Sequence, residues 1–421
     1  MEAIIMWTIL RKFGLEYSDL PTMIENANFF LRFLTLNIDN RVKTRIPLVC
    51  YLVSGSCTIC YYCMLQFSVI WFVFWRSVQT KDLTAAMVVS SLGVSSLTAT
   101  IKLFYMLVHA SKVRSLVDQC LETDALIEPH SRFSRNMTKA LRNVKLRAMS
   151  YWICVMVNAV LYVIVPLFLP GRHLPEDMFV YYGLEPQLET PNYEISFTIM
   201  FVCVIFICYM AATVAVFNIV VIGYTEAQMI SLSKEILYLW KDSSENIVES
   251  NTYSTLTLFK NEKGFNDYEK IIKINFHVRK QLIKILRNHS RIVTVLRNVD
   301  QYFNVPNAVA FGCLGISLIA ELLGGLENTF LQVPFTFVQI AIECYIGQKI
   351  VDASVTFENA VYSCKWENFD TDNMKIVLLM LQNSQKTLTV SAGGMAVLNF
   401  SCLMSIVRMV YSAYTTLRSM M

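Results

Sequence analysis

Apolar residues gather in seven runs along the chain, at residues 46–75, 83–109, 146–169, 195–224, 302–326, 330–350 and 395–417. About 20 residues of helix suffice to cross a bilayer, so the pattern predicts seven spanning helices. Between the fourth and fifth runs, apolar residues recur at Ile271, Ile274, Val278, Leu282, Ile285, Leu286, Ile292, Val293 and Leu296, close to a 3.6-residue period. This predicts an amphipathic helix over 265–300, continuous with the fifth span. The stretch 366–375 is polar and is followed by apolar 376–381, polar Gln382 to Lys386, and the pair Gly393 and Gly394. It predicts a water-accessible helix over 373–390, a glycine break, and the last span.

Composition fixes the class. Of 421 residues, 55% are hydrophobic and 16% charged, against about 25% charged in soluble chains. The expectation is an all-α integral membrane protein. Its orientation follows from where Lys and Arg collect beside the spans. They crowd the segment before the first span (Arg32, Arg41, Lys43, Arg45), the second connection and the fourth, whereas the third connection holds Arg172 against Glu176, Asp177, Glu185, Glu189 and Glu194. Arg76 and Lys81 in the short first connection are a mild exception. A cytoplasmic N-terminus and an extracellular C-terminus follow, and with no cleavable apolar leader in residues 1–45 the N-terminus is expected to be retained.

That topology disfavours a G-protein-coupled receptor, whose N-terminus lies outside, and leaves it as the least favoured alternative. The third span also ends without an acidic-Arg-aromatic triplet, and the third connection has no cysteine to staple it. Ten of the twelve cysteines lie inside apolar runs, where cysteine packs as a small hydrophobe; the Cys57, Cys60, Cys63 spacing sits mid-span without the second cluster a structural zinc site needs. The five histidines form no metal pair or catalytic triad, and no glycine-rich phosphate loop follows a strand pattern. No enzyme, cofactor or metal is therefore expected. The basic 260–297 segment is the positive-inside signal rather than a nucleic-acid footprint, and no internal repeat suggests a transporter.

Polar groups inside a span need a reason. Ser401, Ser405, Arg408, Ser412, Thr416 and Ser419 fall on one stripe of the last span. Either this stripe lines an aqueous path or it packs against neighbouring helices. Arg408 is expected to be paired, with Glu343 and Glu321 as candidates.

Tyr362 with Trp366, the polar run Gln382 to Lys386, Ala392 and Gly393, Phe400, and the closing Tyr411 to Arg418 resemble the C-terminal signature of insect odorant receptors. Thr387 departs from it, standing where that family often has proline. The resemblance implies a seven-helix channel fold in which an odour-binding subunit assembles with the shared odorant co-receptor into a tetramer. A small volatile molecule would open a non-selective cation pore in the plasma membrane of olfactory sensory neurons. It implies a cytoplasmic segment over 1–45, six spans with the pocket over 46–350 including a cytoplasmic helical extension over 225–301, an anchor helix over 351–394, and a pore-lining helix over 395–421. Periodicity alone leaves the basic 265–300 helix either on anionic membrane lipid or at a subunit contact; the resemblance favours the contact. The pocket would be walled by Met87 and Ser91, Asn158 and Tyr162, Phe197, Met200 and Phe201, and Phe335 and Gln339. For the pore, the hydroxyl stripe supplies Ser412 and Thr416. Gap-free matching of the family's narrowest, apolar part gives Leu417 and Met421 with Met420 beside them, on a face roughly opposite. A gustatory receptor would share the architecture but typically ends in Thr-Tyr, a short apolar stretch and Gln-Phe, unlike the Ala413 to Met421 ending here. The fourth connection lacks the long insertion of the co-receptor itself.

Overall fold

The computed structural model describes residues 11–254, 263–394 and 396–420, with side chains outside 246–269. Ten helices of ten residues or more are described: α1 Leu20–Phe33, α2 Leu48–Thr80, α3 Leu83–Val108, α4 Ala110–Ala125, α5 Arg132–Ile164, α6 Asn192–Ser254, α7 Lys263–Leu323, α8 Gln332–Tyr362, α9 Thr371–Ser384 and α10 Phe400–Met420. Five begin at a residue whose side chain accepts a free backbone N–H of the first turn, as N-caps do. These are Asp19 from Thr22 N at 3.0 Å, Asp82 from Ala85 N at 3.0 Å, Ser131 from Ser134 N at 3.0 Å, Asp370 from Asn373 N at 2.8 Å, and Asn399 from Cys402 N at 2.8 Å.

Helices α2, α3, α5, α6 and α7 are long and apolar enough to cross a membrane. Helices α8 and α10 complete the seven; their polar residues, among them Glu343, Lys349 and Arg408, dilute the apolar run. Helix α6 is apolar around its whole circumference and accordingly runs through the middle of the bundle, with residues 210–229 buried on every side. Helix α2 is peripheral and contains two π-helical turns, Tyr61–Gln66 and Phe72–Arg76. The first aims Gln66 across to α3, where its Nε2 donates to Gly93 O at 3.0 Å and Ser96 Oγ at 2.8 Å.

The amphipathic 265–300 helix and the fifth span are one helix, α7. Its buried Ile274, Val278, Leu282 and Ile285 form a second core with α6, α8 and α9. Asn275 fastens α9 there, accepting from Asp370 N at 2.9 Å through Oδ1 and from Asn373 Nδ2 at 2.9 Å through its carbonyl. Helix α9 ends at Ser384, short of residue 390. The last span begins at Phe400 rather than at 395, because a two-stranded hairpin intervenes, pairing Ser391 with Val397 and Ala392 with Ala396. Gly393 and Gly394, both at φ of +67°, make its turn, a conformation costly for side chains with a Cβ. Ser391 N donates to Asp300 Oδ1 at 2.6 Å and Gly394 N to Asn304 Oδ1 at 2.7 Å, fixing the hairpin to α7. On its other side Gly347 of α8 lies so close that an added Cβ would stand 2.1 Å from Leu398 O.

Candidate functional site

Near the end of the bundle that carries the 169–191 connection, α2, α3, α5, α6 and α8 border a half-open cavity of about 40 Å³. Its walls are apolar at Leu65, Leu92, Val204, Ile207, Leu331 and Phe335, and polar at Ser95, Ser96, Asn158, Tyr162 and Gln332. Such a mixture, mostly apolar with a few orienting polar atoms, characterises small-molecule sites.

The polar side is a connected network. Gln332 Nε2 donates to Glu176 Oε2 at 2.7 Å, while its Oε1 accepts from Ser91 Oγ at 2.8 Å. Tyr162 OH donates to the same Glu176 oxygen at 3.3 Å. Ser317 Oγ of α7 lies 3.0 Å from both Ser91 O and Glu321 Oε1, and Thr336 Oγ1 donates to Glu321 Oε1 at 2.6 Å. Two buried carboxylates, one from a loop and one from a spanning helix, are thus joined through α3 and α8. Burial pushes the Glu176 carboxyl up to about 8, against hydrogen bonds from Tyr162 and Gln332 that favour its charged form.

Of the expected pocket residues, Asn158, Tyr162 and Phe335 line this cavity. Asn158 Nδ2 donates to Leu331 O at 3.2 Å. Ser91 adjoins it through Gln332, and Gln339 lies about two turns along α8 from Gln332, accepting from Thr98 Oγ1 at 3.3 Å. The other four lie elsewhere. Met87 lines a separate recess with Val73, Ser77 and Lys81; Met200 is buried with Tyr181 OH 3.7 Å from its sulfur; Phe197 packs beside Tyr193 with ring centroids 6.3 Å apart; Phe201 is exposed on a lateral groove. Gln332 and Glu176 were not among the expected residues. Gln332 stands at the polar start of an apolar run, a weak signal; Glu176 looks like any solvated loop acid.

Helix α10 is placed differently. Cys402, Leu403, Ile406 and Val410 pack on Leu314 and Leu318 of α7 and Ile340 and Cys344 of α8, and Val410 alone among its described residues is buried. The whole polar stripe is exposed, as are Leu417 and Met420; Met421 lies outside the described residues. Its hydroxyls turn back on their own helix, Ser405 to Ser401 O at 2.8 Å and Thr416 to Ser412 O at 2.9 Å. The expected partners of Arg408 are engaged with others. Glu343 forms a 2.9 Å ion pair with Lys102, and Glu321 is held by Ser317 and Thr336. Arg408 is exposed with no ion pair among the described residues, because its stripe faces away from the helices that carry both acids.

Seven helices, five of them bordering a small cavity of mixed polarity, define a polytopic α-helical membrane protein. The chain belongs to the insect odorant receptor family: the profile described as 7tm Odorant receptor matches residues 82–411. It is 22% identical to Odorant receptor 30a of Drosophila melanogaster over 63% of this chain, an alignment that spans 63% of that relative's length. It is 20% identical to Odorant receptor Or2 of Anopheles gambiae over 75% of this chain and 79% of that one. The fold is that of the olfactory receptor OR5 from Machilis hrabei, solved in complex with eugenol, with a TM-score of 0.71 at 12% identity over 96% of this chain and 99% of that chain.

Proposed function

We propose that this chain is the odour-binding subunit of a heteromeric, ligand-gated, non-selective cation channel, working with the odorant co-receptor in the plasma membrane of olfactory neurons. The observation that carries this reading is the contrast between the cavity, bordered by five helices of one chain, and α10, which among its described residues buries only Val410. A spanning helix whose polar stripe is exposed and, among the described residues, hydrogen-bonds only its own helix is suited to face a pore or other subunits. In this reading the N-terminus is cytoplasmic, the core of α6, α7, α8 and α9 is the anchor between subunits, and Ser412, Thr416, Leu417, Met420 and Met421 lie along the conduction path.

Coupling follows from two shared helices. Helix α8 carries Gln332 and Phe335 at the cavity and Ile340 and Cys344 on the α10 seam; α7 carries Ser317 and Glu321 in the network and Leu314 and Leu318 on that seam. At about 40 Å³ the cavity matches a few water molecules. A volatile guest therefore enters by turning Phe335 and Leu331 aside, and the resulting shift of α8 is transmitted to α10. The test is whole-cell current in cells expressing the chain with and without the co-receptor, under G-protein blockade, against a panel of volatiles. A fast cation current that requires the co-receptor and survives blockade is expected. Current lost under blockade would overturn the channel reading.

A further inference from the structure

Beside the bundle, α1, α2, α5 and α6 border a lateral groove of about 720 Å³, far larger than the half-open cavity. Its lining is apolar and aromatic, including Phe29, Phe33, Cys57 and Phe201, with no carboxylate. Arg32 is its one charged residue. The guanidinium is held at the mouth of the groove by Nη2, which donates to Thr44 O at 3.0 Å and Arg45 O at 3.1 Å. Its Nε is buried without an acceptor, and so is Nε1 of Trp152, another lining residue. Both nitrogens lie behind the groove's open surface, so what its mouth presents to a guest is the charge of the Arg32 guanidinium. Lys43 and Arg45, both exposed, stand close by on the chain that Arg32 grips.

These features select a guest with a long apolar body and an anionic, acceptor-only head. A volatile ligand lacks the head, and a sterol offers one hydroxyl and no charge. We propose that the groove is a phospholipid site, with an acyl chain along α2 and α6 and the phosphodiester oxygens at the Arg32 guanidinium. The location fits. Exposed Phe29 and Phe33 place α1 at a membrane boundary, so the groove opens into the leaflet on the side of the N-terminal segment. The bound lipid then forms part of the wall between the N-terminal segment and the spanning helices.

The experiment uses the full chain in its assembled complex, extracted in mild detergent, washed, and assayed for phospholipid per chain by mass spectrometry. Wild type should retain on the order of one phospholipid per chain; Arg32→Gln should lower retention about tenfold, the scale of one charge-assisted hydrogen bond. Cys57→Phe fills the groove while leaving Arg32 in place and should do the same, whereas Trp152→Phe, which keeps an aromatic wall, should retain lipid as wild type does. Elution of each variant at the wild-type assembly volume establishes folding. A second measurement needs no destabilising change: in phosphatidylcholine vesicles with brominated chains, quenching of Trp152, taken as wild type minus Trp152→Phe, should saturate at a low brominated fraction. Equal retention in all variants, a sterol in place of phospholipid, or quenching that rises linearly as for annular lipid would overturn the proposal.

Discussion

The buried network around Gln332 and the last helix, α10, both place hydroxyl and charged groups at membrane depth, and they satisfy them in opposite ways. In the network each group reaches across to another element, so that a loop, α3, α5, α7 and α8 are held by shared partners. In α10 the hydroxyls of Ser405, Thr415, Thr416 and Ser419 bond their own backbone about one turn earlier, a bond that commits nothing to the rest of the chain. Polar residues in a span therefore do two different jobs here. One set closes the fold of a single chain; the other leaves a surface free.

The largest effect that would sharpen this comparison is at Lys102 and Glu343, the buried ion pair joining α3 and α8. Lys102→Met strands a carboxylate that is 4% exposed and should cost roughly 3–5 kcal/mol, seen as lost surface expression, whereas replacing both by Met should restore most of it. Failure of the double change to recover would show that the pair is not a unit. Next comes Gln332→Leu. It removes the donor to Glu176 and the acceptor of Ser91 together, and should lower the thermal midpoint by an amount equivalent to roughly 1.5–3 kcal/mol while moving the odour response. An unchanged midpoint would mean that the two carboxylates are not linked through α8.

A pH-dependent effect, local to one loop, follows from Glu176. Its carboxyl is held up at about 8 when the loop is docked and relaxes to about 4.3 when the loop is free. The docked state prefers the proton, so its stability is full below about 4.3 and falls as pH rises toward 8. Hydrogen-exchange protection of residues 170–190, taken relative to the intrinsic rate at each pH, should fall across that range, and Glu176→Gln should flatten the dependence; protection independent of pH in the wild type would contradict it. The smallest effect is expected on α10. Ser412→Ala or Thr416→Val should change stability within about 0.5 kcal/mol yet alter conductance in the assembled channel. A stability loss as large as that of Gln332→Leu would erase the contrast between the two regions.

Local periodicity made much of this fold legible. The seven apolar runs and the 265–300 helix needed only the spacing of residues such as Ile274, Val278 and Leu282, because burial on a helix repeats within the helix. The start of α10 was placed five residues early, since apolar Met395 to Leu398 resemble helix as much as hairpin. Partnerships were the least legible. Lys102 and Glu343 are 241 residues apart, and nothing local says that Lys102, not Arg408, lies on the helix facing Glu343. The site was legible where a polar residue interrupts a span, as at Asn158 and Tyr162. It was not legible at Glu176, whose burial depends on a loop folding back over the bundle.

The hairpin before α10 has a mechanical consequence. Asp300 and Asn304 grip it from α7, and Gly347 of α8 presses against Leu398, so the first turn of α10 is clamped while its final turns, at Leu417 and Met420, are bare. The helix is hinged at one end. With 21 residues at about 1.5 Å each it is a lever about 30 Å long. A tilt of about 5° at the clamp would move Val410 by about 1.3 Å along the seam and swing the free tip by roughly 3 Å.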